Sequence, residues 1–260
     1  MTDFFRSIWV IAYREFLRFV QDRPRMFSSF TMPLLFLVIF GAGFGKLIGQ
    51  ISPGINFIQF MYPGILAMTV LMTSIMSGVS IVWDREFGFL KEVLVSPLNR
   101  SGVLVGKAFG AAIIAIIQGA IMLVLAPFLD VPINLGTVLA LLPLLLILSL
   151  SLSGLGLLIG ARMRSQQGFQ ILMQLVIFPM MFLSGIFFPI SGVATWLEVL
   201  SKLNPVTYGI DAIRQVFLGT EVAGITVFGH TMSILESALV VAVVGVVLLA
   251  AAIWSFNRQE

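Results

Sequence analysis

Three groups of residues have types and spacings that could do chemistry. The first is Ser149, Ser151 and Ser153, which could supply a nucleophile. A serine needs a base within hydrogen-bond reach, and no His or Lys lies near this run. The chain holds one histidine, His230, far along the sequence, so a histidine-based metal site or proton relay is not expected. The second group is Gly102, Gly106 and Lys107, a fragment of a phosphate-binding loop. Its glycines stand four apart instead of five, and Ala108 occupies the place of the required Ser or Thr. Nucleotide hydrolysis by this chain is therefore not expected. Gly102, Gly106 and Gly110 instead recur every fourth residue, which makes a close-packing helix face. The third group is the charged stretch Trp83–Lys107, which contains Asp84, Arg85, Glu86, Lys91, Glu92, Arg100 and Lys107. Charged residues make up only 10% of the chain, so this concentration needs an explanation.

The elements that would position these groups are set by composition. Of the 260 residues, 59% are hydrophobic, and the mean hydropathy is +1.07. Soluble domains have about 45–50% apolar residues and about 25% charged ones. A soluble fold would lack the polar surface to cover this much apolar chain, so the composition indicates an integral membrane protein. There are no cysteines, which excludes disulfides and thiolate metal sites. The net charge is +3. In this setting the positions of the charges matter more than their sum, and a nucleic-acid partner is not expected.

Six apolar runs are each compatible with about 20 helical residues in a bilayer. They lie near Phe27–Gly45, Phe60–Trp83, Val103–Phe128, Leu135–Gly160, Phe169–Phe188 and Ile234–Phe256. Residues 1–25 do not read as a signal peptide, because five arginines interrupt them and no small-residue cleavage site follows. Phe5, Ile8, Trp9, Ala12, Phe16 and Phe19 share one helical face, with Arg14 and Arg18 opposite. This pattern predicts a helix lying in the membrane interface, aromatic face toward lipid and cationic face toward water. With six spans both termini share a side. That side collects 12 of the 15 Lys and Arg residues. The positive-inside rule therefore puts both termini in the cytoplasm of a cell-membrane protein.

The outer segments are expected near Lys46–Gln59, Asp130–Asn134 and Ile190–Ser233. In the last, Trp196, Leu197, Leu200 and Leu203 predict a short helix ended by Asn204-Pro205. A second, Val206–Leu218, is closed by Gly219. Both read as interfacial or re-entrant helices. The whole chain, 1–260, reads as one transmembrane domain.

Two polar stripes run along the spans. Met68, Thr69, Met72, Thr73 and Met76 share part of span two, and Gln170, Gln174, Phe178 and Phe182 recur along span five. Interhelical hydrogen bonding is one reading. The other is the wall of an adaptable pathway for an amphipathic substrate. The pattern leaves both open.

The order of these features, with three motifs, resembles the membrane subunit of ATP-binding-cassette type-2 exporters. That family includes bacterial drug, nodulation-factor and polysaccharide export permeases. The motifs are Trp83-Asp84-Arg85-Glu86-Phe87-Gly88-Phe89-Leu90-Lys91-Glu92, Leu183-Ser184-Gly185-Ile186-Phe187-Phe188-Pro189, and Asn204-Pro205-Val206-Thr207-Tyr208-Gly209-Ile210-Asp211-Ala212-Ile213-Arg214. The resemblance covers nearly the whole chain. It implies an all-α architecture of six spans that pairs with a second copy or a homologous permease. It also implies two separate ATP-binding cassette ATPase subunits, which would hold the ATP and Mg. This chain would hold no cofactor. Residues 84–97 would be the coupling helix, touching the ATPase through Arg85, Glu86, Phe87, Leu90, Lys91, Glu92 and Leu94. The pathway would form mainly from spans two and five, and Asn204, Pro205, Tyr208, Asp211 and Arg214 would belong to the outer re-entrant segment. Independently, Phe87, Leu90 and Leu94 fall on one helical face with a mixed-charge rim, and Pro97 would stop the helix. Such a helix suits a groove on a soluble partner. The alternative reading, from a different class, is a stand-alone channel, scramblase or scaffold.

Overall fold

The computed structural model describes residues 2–48, 57–88, 99–187, 190, 193–219, 224–227 and 229–258. Ten α-helices occur among them. They are α1 (Thr2–Gln21), α2 (Arg23–Ile48), α3 (Phe57–Met76), α4 (Val79–Glu86), α5 (Arg100–Leu125), α6 (Leu135–Arg162), α7 (Gln166–Leu183), α8 (Thr195–Leu203), α9 (Pro205–Leu218) and α10 (Ile234–Asn257). A 3-10 turn, Ala126–Leu129, extends α5. A two-residue antiparallel pair, β1 (Thr226–Val227) with β2 (His230–Thr231), precedes α10. The helical reading thus holds, with this small hairpin as an addition to it.

Helix starts follow from local chemistry. Asn99, Asn134, Ser165 and Ser233 stand just before α5, α6, α7 and α10, and each side chain accepts a backbone N–H of the first turn. Ser233 and Glu236 complete a reciprocal capping box. Pro33, Pro63, Pro143 and Pro179 lie inside helices, as neighbouring helices permit in membrane proteins.

Five of the described spans are each long and apolar enough to cross a bilayer: Ile58–Glu86, Arg100–Leu129, Leu135–Arg162, Gln166–Leu183 and Ile234–Asn257. A sixth results if α1 and α2, bent by 73° between them, count as one span. The sequence reading gave span one to residues 27–45 alone. In the structure α2 begins at Arg23, so Arg23 and Arg25 fall in its first turn.

The second span is the centre of the packing. Its apolar window is 78% buried, against 22% for α7. It also breaks at Ser77–Gly78, where the backbone bonds tighten to i→i−3 spacing. The cause is a backbone-to-backbone crossing with α6. A Cβ on Gly78 would lie 2.0 Å from the Gly156 carbonyl oxygen, and one on Gly156 would lie 2.1 Å from the Ile75 oxygen. One on Gly160 would lie 2.4 Å from the Gly78 oxygen. Helices without a solvent-driven force between them associate by such close contact of small residues. Ser74 and Ser149 hydroxyls meet at 2.7 Å across the same interface. On its other side α6 packs on α10, where Gly245 sits against Ser151. Ser153 donates to its own helix at the Ser149 carbonyl, 2.6 Å away. The serine run is thus placed in helix contacts.

Gly156→Ala is expected to cost about 3 kcal/mol, at the upper end for overpacking, because the clash is with backbone. Gly43 has nothing within 4 Å of an added Cβ, and Gly43→Ala is expected to leave the melting temperature in detergent unchanged. Equal melting curves for Gly156→Ala and the starting protein would contradict this packing.

Candidate functional site: the charged base of the bundle and its uncovered helix

The segment from α8 to the start of α10 is tied together by hydrogen bonds. Asn204 ends α8 and begins α9, accepting from Val206 N at 3.1 Å and donating to the Met180 carbonyl of α7 at 2.7 Å. Pro205 is the first residue of α9, where a missing N–H costs nothing. Tyr208 donates to the Lys202 carbonyl at 2.7 Å. Asp211 accepts from Gln215, Ser237 and Ile225 N at 2.7, 2.9 and 3.1 Å. Arg214 is buried, donates to the Gly185 carbonyl at 2.7 Å, and lies 4.3 Å from the Phe60 ring centre. Four of the five residues singled out in the sequence lie along α9 and Asn204 caps it, and their bonds run to α7, α8, α10 and the segments beside them. Gln215 and Ser237 complete the set. They escaped notice because a lone polar residue on an apolar helix carries no pattern.

The two pathway stripes are not brought into one wall within the chain. Met68 and Thr69 are buried, and Thr69 spends its hydroxyl on the Ile65 carbonyl of its own helix. Met72, Thr73 and Met76 are half-buried. Thr73 donates to Gln118, whose amide donates to Ser29 at 2.8 Å. Gln118 is fully buried, so α2, α3 and α5 share a polar link that the sequence stripes did not include. Gln170, Gln174, Phe178 and Phe182 are all exposed along α7. With Ile171 and Leu175 they make α7 the least covered span.

At the opposite end of the bundle lies the charged stretch. Leu90, Lys91, Glu92 and Leu94 fall outside the described residues. Arg85, Glu86 and Phe87 fall within them. Arg85 turns inward and donates to the Ala161 carbonyl at 2.7 Å and to the Met163 carbonyl, closing the C-terminus of α6. A cation there meets the negative end of the helix dipole. Glu86 and Phe87 point outward, and Phe87 is 79% exposed.

Just before them, Asp84 enters a buried cluster of four charges. Lys107 Nζ donates to Asp84 at 2.6 Å, to Ser80 at 2.8 Å and to Glu15 at 3.2 Å. These three bonds use its three protons. Arg14 Nη2 reaches Asp84 and Glu15, each at 3.0 Å. Glu15 thus meets both cations of the cluster. The cluster is neutral in sum and ties α1, α4 and α5 together. The glycine face found in the sequence supplies the fit: Gly102, Gly106 and Gly110 meet Ser7, Ile11 and Glu15 of α1, with added Cβ atoms at 2.9, 2.9 and 2.8 Å. Asn99 N also donates to Ser7 Oγ at 3.2 Å.

This corrects the orientation read for α1. The expected single face splits: Phe5 and Trp9 stay exposed, whereas Ala12 and Phe19 are buried. The exposed stripe is Phe5, Trp9, Tyr13, Leu17 and Val20. Arg14 faces the charge cluster instead of water, and Arg18 lies 5.5 Å from the Trp83 ring centre. A helical wheel without Asp84 and Lys107 cannot find this, because the attraction is between residues 70 apart or more.

Lys107→Met leaves two buried carboxylates facing one guanidinium, and is expected to cost about 3–5 kcal/mol. Adding Asp84→Leu restores neutrality and should recover most of that loss. A double-mutant cycle by thermal melting in detergent checks this. Additive losses would contradict the pairing.

Residues 6–218 match the ABC-2 type transporter family. The chain is 30% identical over 222 residues to ycf38 of Cyanophora paradoxa, covering 84% of this chain and 77% of that one. It is 26% identical over 226 residues to YadH of Escherichia coli K12, covering 86% and 87%. It is 31% identical over 169 residues to YbhR of the same strain, covering 64% and 46%. ycf38 is named as a transport permease, YadH as an inner membrane transport permease, and YbhR as a multidrug ABC transporter permease. The family match extends over the α1–α5 contact, the charge cluster and helices α8 and α9. The chain belongs to the ABC-2 type transporter family, as a permease with several membrane-spanning helices.

Proposed function

We propose that the chain is the transmembrane subunit of an ATP-driven exporter in the cell membrane, with both termini in the cytoplasm. It works as a dimer with itself or a homologous permease, and each permease docks one ATPase subunit. ATP and Mg bind those partners. Family membership supports the ATPase partnership. Residues 84–97 form the docking element, with Glu86, Phe87, Leu90, Lys91, Glu92 and Leu94 toward the partner and Arg85 fixing the helix root to α6.

The observation that carries this reading is the change of direction at Asp84. Asp84 and Arg85 are bonded into the bundle, while the next two residues project outward with a large exposed phenyl ring. An exposed Phe beside charged residues suits a partner groove. A push on that ring is delivered to α4, and through the buried charges to α1 and α5.

The translocation pathway is formed chiefly from the second span and α7, with Met68, Thr69, Met72, Thr73 and Met76 facing Gln170, Gln174, Phe178 and Phe182 when it opens. The exposed amide and phenyl groups on α7 support an amphipathic or lipid-linked substrate. They need a second surface to enclose them, which a second permease provides. Asn204, Pro205, Tyr208, Asp211 and Arg214 close the outer side.

In proteoliposomes holding permease and ATPase, Phe87→Ala and Glu86→Lys are expected to lower substrate-stimulated ATP hydrolysis and export at least tenfold. Membrane insertion and melting temperature should stay unchanged. Unaltered export together with unaltered ATPase association would overturn the docking assignment.

A further inference from the structure

At the Asp84 end of the bundle, an apolar groove of about 420 Å³ opens between α6, α7 and α10. Its walls are Leu158, Ile159, Met163, Leu172, Ala251 and Trp254. Its volume lies within the range of small-molecule sites. Arg162 stands at its rim and donates through Nε to Ser255 Oγ at 3.1 Å, leaving the other guanidinium nitrogens free to turn outward. Arg258 stacks on Trp254, its guanidinium carbon 4.2 Å from the ring centre. Both arginines are exposed. Among the described residues, neither has a carboxylate within salt-bridge distance. Among the described residues the rim therefore carries two positive charges without a carboxylate partner beside a tryptophan, and the interior is apolar.

We propose that this groove binds an anionic phospholipid, with an acyl chain along Leu158, Leu172 and Ala251 and the phosphate between Arg162 and Arg258. Charge complementarity selects the occupant. Arginine presents forked donors that match phosphate oxygens, and a basic pocket between spans next to an apolar wall suits an acidic headgroup. Stacking on Trp254 holds Arg258 at the level of the headgroups, where tryptophan itself partitions. A soluble partner fits less well. Leu158 lies a full turn, about 6 Å, inside the span from Arg162, so a partner filling the groove would have to enter hydrocarbon. The proposal requires the membrane-spanning fold but not the exporter reading.

The test uses the full chain in phosphatidylcholine vesicles with brominated phosphatidylglycerol or brominated phosphatidylcholine as quencher. The Trp254 signal is the difference between the chain and its Trp254→Phe variant. Brominated phosphatidylglycerol is expected to quench Trp254 at a several-fold lower mole fraction than brominated phosphatidylcholine. Arg162→Gln with Arg258→Gln should remove that preference, and Arg6→Gln on α1 should not. Ala251→Phe, which fills the groove and keeps both arginines, should reduce quenching by both lipids. Equal quenching by the two lipids in the starting protein would overturn the proposal, as would an unchanged preference in the double variant. Loss of quenching on dimerisation of the chain or on adding its ATPase would assign the groove to that protein and overturn it equally.

Discussion

Four charges, two of them almost fully buried, hold the base of this protein together. Lys107 is 2% exposed and Asp84 4%. Taking such groups out of water costs several kcal/mol each, and pairing with good geometry is what offsets that cost. Here Lys107 has three acceptors, and Asp84 and Glu15 each face both cations. The arrangement fixes which face α1 presents, how deep α5 begins and where α4 ends. An apolar contact could supply similar stability. The charges add to the fit of the glycine face, since a displaced buried charge loses its partner.

Around that base the bundle is stiff where it is closest packed. Gly78, Gly156 and Gly160 let the second span and α6 touch backbone to backbone, and the second span breaks at that point. Above the break, the Ser29–Gln118–Thr73 link joins α2, α3 and α5. At the far end Asp211 and Arg214 bind α9 to α7, α10 and the hairpin. Among the described spans α7 is the least covered, with 22% of its apolar window buried against 28% for α10. The proposed transport role draws on both properties: close-packed elements that would pass on a displacement, and an open helix face that would meet substrate.

Much of the fold was legible in the sequence for simple reasons. Long apolar runs give spans. Asn204-Pro205 separates two short helices because proline begins a helix well and cannot continue one. The glycine triplet at 102, 106 and 110 announced a close contact but not its partner. What was not legible depended on residues distant in the chain. Arg14 looked like a solvent-facing cation until Asp84 and Lys107 were placed beside it. Arg85 looked like one of several rim charges, yet it closes α6. Gln118 had no neighbours in sequence to mark it. The break at Gly78 arises from the carbonyl of another helix, which no local propensity encodes.

The central claim is that the segment after Asp84 meets an ATPase and moves with it. The chain has no cysteine, so Phe87→Cys carries a single thiol to which a photocrosslinker can be attached in native membranes. Illumination is predicted to join position 87 to a soluble ATP-binding subunit, with a yield that changes when ATP is trapped. Crosslinks to lipid alone, or to no protein in membranes where the permease exports its substrate, would contradict the account.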